Sequence, residues 1–325
     1  MRLRLLALIV GVGLGTLWAL PTSAEQPARR PYRIGVLHTG FFQIIPVVEG
    51  LKAGLKAAGL EETRDVSFDI RFTRGNLQAV GPSAVALANA GMDLLFVEGE
   101  EAARAAKAAT QIIPVVFTLV GDPVAAGIVK EIAHPGGNVT GVSSLATELA
   151  PKRLETLKAL YPTVRRVWAI YYAGEASSQA AARKVQEVGP RLKLDVVARP
   201  VGTTDELVAN LKGLRPGDGL LCPPTLTLNI PGLILDLVLG AGWPAIFPTA
   251  FWVQSGAVVS YGSDVYSDGM QAARIVTKIL QGARPQDLPV EGSNKIEMAI
   301  NLRTARSLKV SIPADILIRA DRVIE

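Results

Sequence analysis

Two successive runs of alternating strand and helix constrain this chain more than any motif in it. Short β-rich stretches "YRIGVLHT" (32–39), "VSFDIRFT" (66–73), "MDLLFVEG" (92–99), "IPVVFTLV" (113–120) and "NVTGVSS" (138–144) are separated by helical patterns. In "VVEGLKAGLKAAGL" (47–60), Val48, Leu51, Leu55 and Ala58 share one face and Gly59 is placed to stop the helix. "NLQAVGPSAVALANAG" (76–91) is helical with a break or restart at Gly81-Pro82, and "EEAARAAKAAT" (100–110) is an alanine-rich helix. Asp122-Pro123 predicts a further short helix, with aspartate as its cap and proline at its first position. "ELAPKRLETLKALYP" (148–162) carries a helix onward, and the alternation begins again with strands at 164–172, 194–201, 217–224 and 243–249. Strict alternation of this kind builds parallel sheets covered by helices, and its repetition predicts two α/β lobes with a cleft between them.

A chain of 325 residues is long enough for two such cores. Its tail breaks the rhythm: a strand and a long helix (256–282), a proline-rich connection "ARPQDLPV", then two short closing segments (294–310 and 312–325). A tail that revisits the first lobe predicts several crossovers, which is how a hinge is built.

The first residues, "MRLRLLALIVGVGLGTLWALPTSAEQ", combine a basic Arg2 and Arg4, an apolar run from Leu5 to Leu20, and the small-residue site Thr22-Ser23-Ala24. The run is slightly short for a membrane span and ends in Pro21, so it reads as a secretory signal cleaved after Ala24. Without Arg2 and Arg4 the net charge falls from +5 to +3, with 32 basic residues against 29 acidic ones. That balance is mild and scattered, and only 6% of residues are aromatic, so nucleic acid is not an expected partner. Cys222 is the sole cysteine. It allows no intramolecular disulfide, lies far from the cleavage site so that lipid anchoring is not expected, and sits in an apolar strand as a small buried hydrophobe. The expected location is periplasmic, as a soluble protein.

The motif search finds little chemistry. His38 and His134 are the only histidines, and His134 lies in the turn-like "AHPGGN". There is no HExxH, no CxxC and no GxxxxGK[ST]; "GVSSL" lacks the second glycine of a nucleophile elbow, and "GVGLG" falls inside the signal. No catalytic residue, metal ligand or cofactor is expected.

Polar and aromatic residues do gather at the carboxyl ends of the strands, where open α/β sheets bind ligands. His38, Thr39, Phe41 and Phe42 follow the first strand, Glu98 to Glu101 the third, and Thr118 and Asp122 the fourth. Tyr171, Tyr172, Glu175 and Ser177 open the second series, followed by Thr225, Asn229, Thr249, Phe251 and Trp252, with Tyr261 and Asp264 in "SYGSD". Several have a structural reading too. Asp122 suits a helix cap, Glu100 and Glu101 suit a helix N-terminus, and Phe41, Phe42, Tyr172 and Trp252 suit packing.

"IPVVFTLVGDPVAAGIVKEIAHPGGNVTGVSS", "SYGSD", "ILQGARPQDLPVE" and "INLRTARSLKVSIPADILIRADRVIE" occur in this order. Together they resemble the tryptophan/tyrosine-type substrate-binding proteins of ABC transporters, over essentially all of 32–325. The resemblance implies a type I periplasmic-binding-protein fold: two doubly wound parallel-sheet lobes joined by a three-crossover hinge. It implies an N-terminal lobe of 32–144 plus about 257–289 and a C-terminal lobe of 145–256 plus about 290–325, after the signal (1–24) and a linker (25–31). It makes 121–144 a wall of the first lobe leading into the hinge. It also implies an ABC importer's solute-binding component, a monomer that closes on a small molecule such as an amino acid and then meets a membrane permease. The contacts it implies are Thr39, Phe41, Glu98, Gly99, Glu100, Thr118 and Asp122 on one lobe, and Tyr172, Glu175, Ser177, Thr225 and Thr249 on the other. The chain departs from the family at "EGEE" (98–101), where small residues are usual, because a carboxylate ligand would be repelled by inward-facing glutamates. A ligand sensor for a membrane receptor and an exported α/β enzyme are the alternative readings.

Overall fold

The strands of the first sheet lie in the order 66–72, 32–38, 94–98, 115–120, 139–143 and 291–292, that of a doubly wound parallel sheet with its switch point between strands 32–38 and 94–98. The structure, a computed structural model, describes residues 30–40, 45–222 and 232–325. The expected signal peptide lies outside them, as do Phe41, Phe42, Thr225 and Asn229. Residues 31–325 form one compact unit.

The first lobe runs through β1 (Tyr32–His38), α1 (Pro46–Ala57), β2 (Val66–Phe72), α2 (Val80–Asn89), β3 (Leu94–Glu98), α3 (Glu100–Ala109), β4 (Val115–Val120) and β5 (Val139–Ser143). Its strands are covered on both faces, so their residues divide between two cores by simple alternation. Ile34, Val36, Leu94 and Phe96 pack toward α1, whereas Leu37, Leu95, Val97 and Phe117 pack toward α2 and α3. Pro82 falls in the first turn of α2, after a short 3-10 turn at Leu77–Ala79, so the proline is accommodated where the missing N–H costs nothing.

The second series comprises α4 (Ala146–Leu160), β6 (Arg166–Tyr172), α5 (Ala176–Val188), β7 (Asp195–Val201), α6 (Thr204–Lys212), β8 (Asp218–Leu221), α7 (Leu233–Ala241), β9 (Ala245–Ile246), α8 (Ala250–Gln254) and β10 (Val259–Ser263). The chain ends with α9 (Val265–Leu280), β11 (Glu291–Gly292), β12 (Ile296–Asn301), α10 (Leu302–Ser307), α11 (Ala314–Ile318) and β13 (Arg322–Ile324). The parallel sheet β7-β6-β8-β9 continues through a bridge between Phe247 and Ser260 into β10-β12-β13.

The tail therefore divides differently from the expected 257–289 segment. β10 extends the second sheet, because it pairs antiparallel with β12 and is held to Phe247 by backbone bonds in both directions. α9 then packs on α1 and β11 joins β5 in the first sheet. Close approach of α1 and α9 needs glycine: a Cβ on Gly269 would stand 1.9 Å from the Val47 carbonyl oxygen. The chain crosses between the sheets three times, at Ser144–Leu145, at Asp264 and at 293–295.

The short helix expected after Asp122-Pro123 is absent; 122–138 is a series of turns. Asp122 does cap one turn, its Oδ1 accepting from Ala125 N at 2.9 Å. The turn ends because Gly127 adopts φ 66° and the N–H groups of Ile128 and Val129 both donate to the Pro123 carbonyl. Among the described residues no helix is long and apolar enough to cross a membrane.

Candidate functional site

β1 and β3 end side by side, with His38 directly opposite Glu98 in the register of the sheet. This is the switch point, where the loops leaving the two strands diverge and leave a crevice. The pairing places His38 Nδ1–H 3.0 Å from Glu98 Oε2, with both side chains buried. His38 Nε2 and Glu98 Oε1 have no hydrogen-bond partner.

Above them lies a cavity of about 250 Å³ bounded by both lobes. His38, Gly40, Ile45, Pro46, Glu98 and Leu119 form its first-lobe side. A bulge in β4 between Phe117 and Val120 puts Leu119 at φ 57°, in the left-handed region, and turns it toward the cavity. Arg153, Pro248, Thr249, Phe251, Trp252 and Gln254 line the second-lobe side. Ser144, Ser263 and Asp264, at two of the crossovers, also line it. Trp252 is fixed by Phe247, with ring centroids 4.8 Å apart, so it presents a rigid apolar surface.

Arg153 is 1% exposed. Its Nη2 donates to the Ala146 carbonyl at 2.7 Å and its Nη1 approaches that of Tyr261 at 3.5 Å, while Nε is unpartnered. Burial pulls its pKa down to about 10, so it remains a cation at neutral pH. Two further acids on the cavity wall, Asp264 and Glu297, are paired with other bases. Asp264 bonds Lys295 at 2.6 Å and Glu297 faces Arg322 at 3.4 Å. Burial raises the Asp264 carboxyl, but the bonds from Lys295 and the Ser267 N–H outweigh it and hold the group below its usual range.

A second cluster joins the lobes at the N-terminus of α5. Glu100, at the start of α3 and 3% exposed, accepts from Ala176 N at 2.8 Å and from Ser177 N at 3.0 Å. These are N–H groups of a helix's first turn, which carry the positive end of its dipole. Ser177 Oγ accepts from Asp122 N at 2.9 Å and donates to Asp122 O at 3.3 Å. Arg104 donates to the Gly174 carbonyl at 2.7 Å and pairs with Glu101. Glu101 is raised by burial against the opposing effect of Arg104. A Cβ on Gly121 would lie 3.1 Å from that of Ser177, so the lobes touch tightly here.

The residues expected at the site thus separate. Glu98 and Thr249 line the cavity. Glu100, Asp122 and Ser177 meet in the interlobe clasp, with Gly99 and Glu175 beside them in sequence at the helix starts. Thr39 is buried behind β1, Thr118 is buried within β4, and Tyr172 joins Trp168 and Ile170 in a hydrophobic core. Phe41 and Thr225 lie outside the described residues. His134 is exposed, as its turn setting predicts, and Cys222 is buried with its thiol pushed up by burial. Sequence reading missed Arg153. The signal was available, since Ala146, Ala150, Arg153, Leu157 and Leu160 fall at helical spacing on the buried face of α4.

A family model described as ABC transporter substrate binding protein matches residues 38–324. A tyrosine-binding protein of Clostridioides difficile (strain R20291) is 27% identical over 262 residues, covering 80% of this chain and 75% of its own. A conserved domain protein of Vibrio cholerae superposes with TM-score 0.83 at 28% identity, over 91% of this chain and 100% of that one. An ABC domain of Streptococcus pneumoniae, solved in complex with L-Trp, gives TM-score 0.82 at 26% identity, over 90% and 100% of the two chains.

Proposed function

The chain belongs to the ABC transporter substrate-binding protein family, and from that premise we propose that it is the extracytoplasmic solute-binding component of an importer, closing on an amino acid or related compound between its lobes. Its family binds rather than transforms its ligands. The observation that carries the reading is the cavity at the switch point, bounded by both lobes and lined at two of the crossovers between them. A ligand seated there touches both sides of the hinge, so it favours the closed form by its differential contacts. The wall suits a compound with an apolar body and polar ends: Trp252, Phe251, Pro248 and Leu119 supply the apolar surface, Glu98 and Arg153 the charged ends. The similarity to a tyrosine-binding protein and to a domain solved with L-Trp supports the same ligand class.

In this reading the lobe division follows the crossovers. The first lobe takes residues up to Ser143 together with 265–292, and the second takes 146–263 with 296–325. A permease recognises the closed pair, and the protein acts as a monomer.

The test is thermal unfolding of the purified protein against aromatic, aliphatic and basic amino acids, polyamines and small carboxylates, followed by calorimetric titration. A ligand at about a hundred times its Kd adds roughly 2.7 kcal/mol and raises the midpoint by several degrees. The expected result is one site per chain and a ligand recovered chemically unchanged. Turnover of the ligand, or no shift with any compound, refutes the reading.

A further inference from the structure

A buried cation without an acid is expensive, because desolvation is not offset by an opposite charge. Arg153 is in that position: it lines the cavity, is 1% exposed, and has no acidic partner among the described residues. The two bonds it makes are to carbonyl oxygens, which leaves its charge uncompensated and its Nε–H unused. Two acids that line the same cavity, Asp264 and Glu297, are engaged by Lys295 and Arg322. On the first-lobe side the unpartnered atom is an acceptor. Glu98 shares one carboxylate oxygen with His38 and leaves Oε1, a buried acceptor, without a donor.

We propose that Arg153 is the anchor for an anionic group of the ligand, while Glu98 Oε1 on the opposite lobe receives a ligand N–H, so that the cavity selects a zwitterion by both of its charges. This rests on the solute-binding reading above and adds the polarity of the ligand and a residue that sets specificity. A guanidinium presents a fork of N–H donors suited to a carboxylate, and a second lobe that contributes the cation makes anion binding part of closure. It also resolves the difficulty raised by "EGEE". The inward carboxylates repel an anion only on the first-lobe side, Glu100 is turned away to α5, and the second lobe offers the cation.

The competing account is that Arg153 is a strut, tying the start of α4 to β10 through Ala146 and Tyr261. The two are separated by matched ligands and by ligand-free stability. Calorimetric titration compares tryptophan with tryptamine and tyrosine with tyramine on the wild-type protein, then on Arg153→Met and Arg153→Lys. An anchor predicts that the amines bind the wild type at least about thirtyfold more weakly than the amino acids, the range for stranding a buried charge. It predicts that Arg153→Met loses amino-acid affinity by a similar factor, leaves the amines unchanged, and keeps or raises the ligand-free midpoint. Arg153→Lys restores part of the preference. Equal binding of amine and amino acid to the wild type overturns the inference while leaving the solute-binding reading standing, and this comparison needs no variant to fold. A lowered ligand-free midpoint in Arg153→Met, with all four compounds weakened alike, assigns the strut role instead. Failure of all four compounds, with a different class binding, removes the amino-acid reading and this inference with it.

Discussion

Removing the carboxylate of Glu100 should open the protein. Its two oxygens accept from Ala176 N at 2.8 Å and Ser177 N at 3.0 Å, across the lobe interface and in a buried setting. Net contributions of hydrogen bonds to a charged group run about 1.5–3 kcal/mol each. Taking the lower value for both gives about 3 kcal/mol, or about a hundredfold in the ratio of closed to open forms. A population about ten to one closed would become about ten to one open. Glu100→Gln keeps one acceptor but turns an amide N–H toward the other backbone N–H, so it should fall between wild type and Glu100→Ala. The assay is single-molecule energy transfer between labels at Ile112→Cys on the first lobe and Lys212→Cys on α6 of the second, both exposed. Cys222 is buried with its thiol pushed up, so it does not compete for label. An unchanged distance distribution in a well-folded Glu100→Ala protein would refute the clasp, and a Gln variant identical to wild type would refute the role of charge.

Three further outcomes are expected. Asp268 is raised to about 6 by burial, against weaker help from Ser293 and Ser263, so the folded state holds this proton more tightly than the unfolded chain. Stability should fall as pH rises from about 4 to about 6, by up to about 3 kcal/mol, and Asp268→Asn should flatten that slope in thermal unfolding. Gly269→Ala drives a Cβ to within 1.9 Å of the Val47 carbonyl and should cost about 1–3 kcal/mol, seen as a midpoint lowered by several degrees. Burial raises the Asp218 carboxyl, but Arg166 and the Arg215 N–H hold it below its usual range, so its contribution is present above about pH 4 and lost as pH falls further. Arg166→Met should therefore lower the unfolding midpoint slightly at pH 7, since the guanidinium is partly exposed, and by less as pH falls below about 4.

Most strands were legible because a parallel strand covered on both faces is an uninterrupted apolar run. β3 is such a run, closed by Gly99 at φ 84°. The helix expected at Asp122 failed for a reason internal to the signal. A cap and a proline mark a start but carry no information on length; Val124, Ile128 and Ile132 keep helical spacing, yet Gly127 at φ 66° turns the chain out of the helix after one turn. Tyr172 was placed at a strand end, yet period-two alternation already set it on the face of Trp168 and Ile170, and that face is core. Glu100 was readable as a helix-start acid. Its bond to a second helix start, 76 residues on, depends on how the lobes meet, which no local pattern encodes.

Glu100 and Arg153 act on different quantities, and this allows them to be told apart in one experiment. A clasp changes the fraction of molecules in the binding-competent form, and apparent Kd scales with the reciprocal of that fraction whatever the ligand. Glu100→Ala should therefore shift the affinities for tryptophan, tyrosine, tryptamine and tyramine by one common factor. An anchor changes the free energy of one chemical group, so Arg153→Met should alter the ratio between amino acid and amine and leave the amines where they were. If Glu100→Ala changed that ratio, its carboxylate would be acting on the ligand and not only on α5. In Glu100→Ala combined with Arg153→Met the two effects should multiply, because the clasp residue bonds Ala176 and Ser177 while Arg153 bonds Ala146 and Tyr261, with no partner in common.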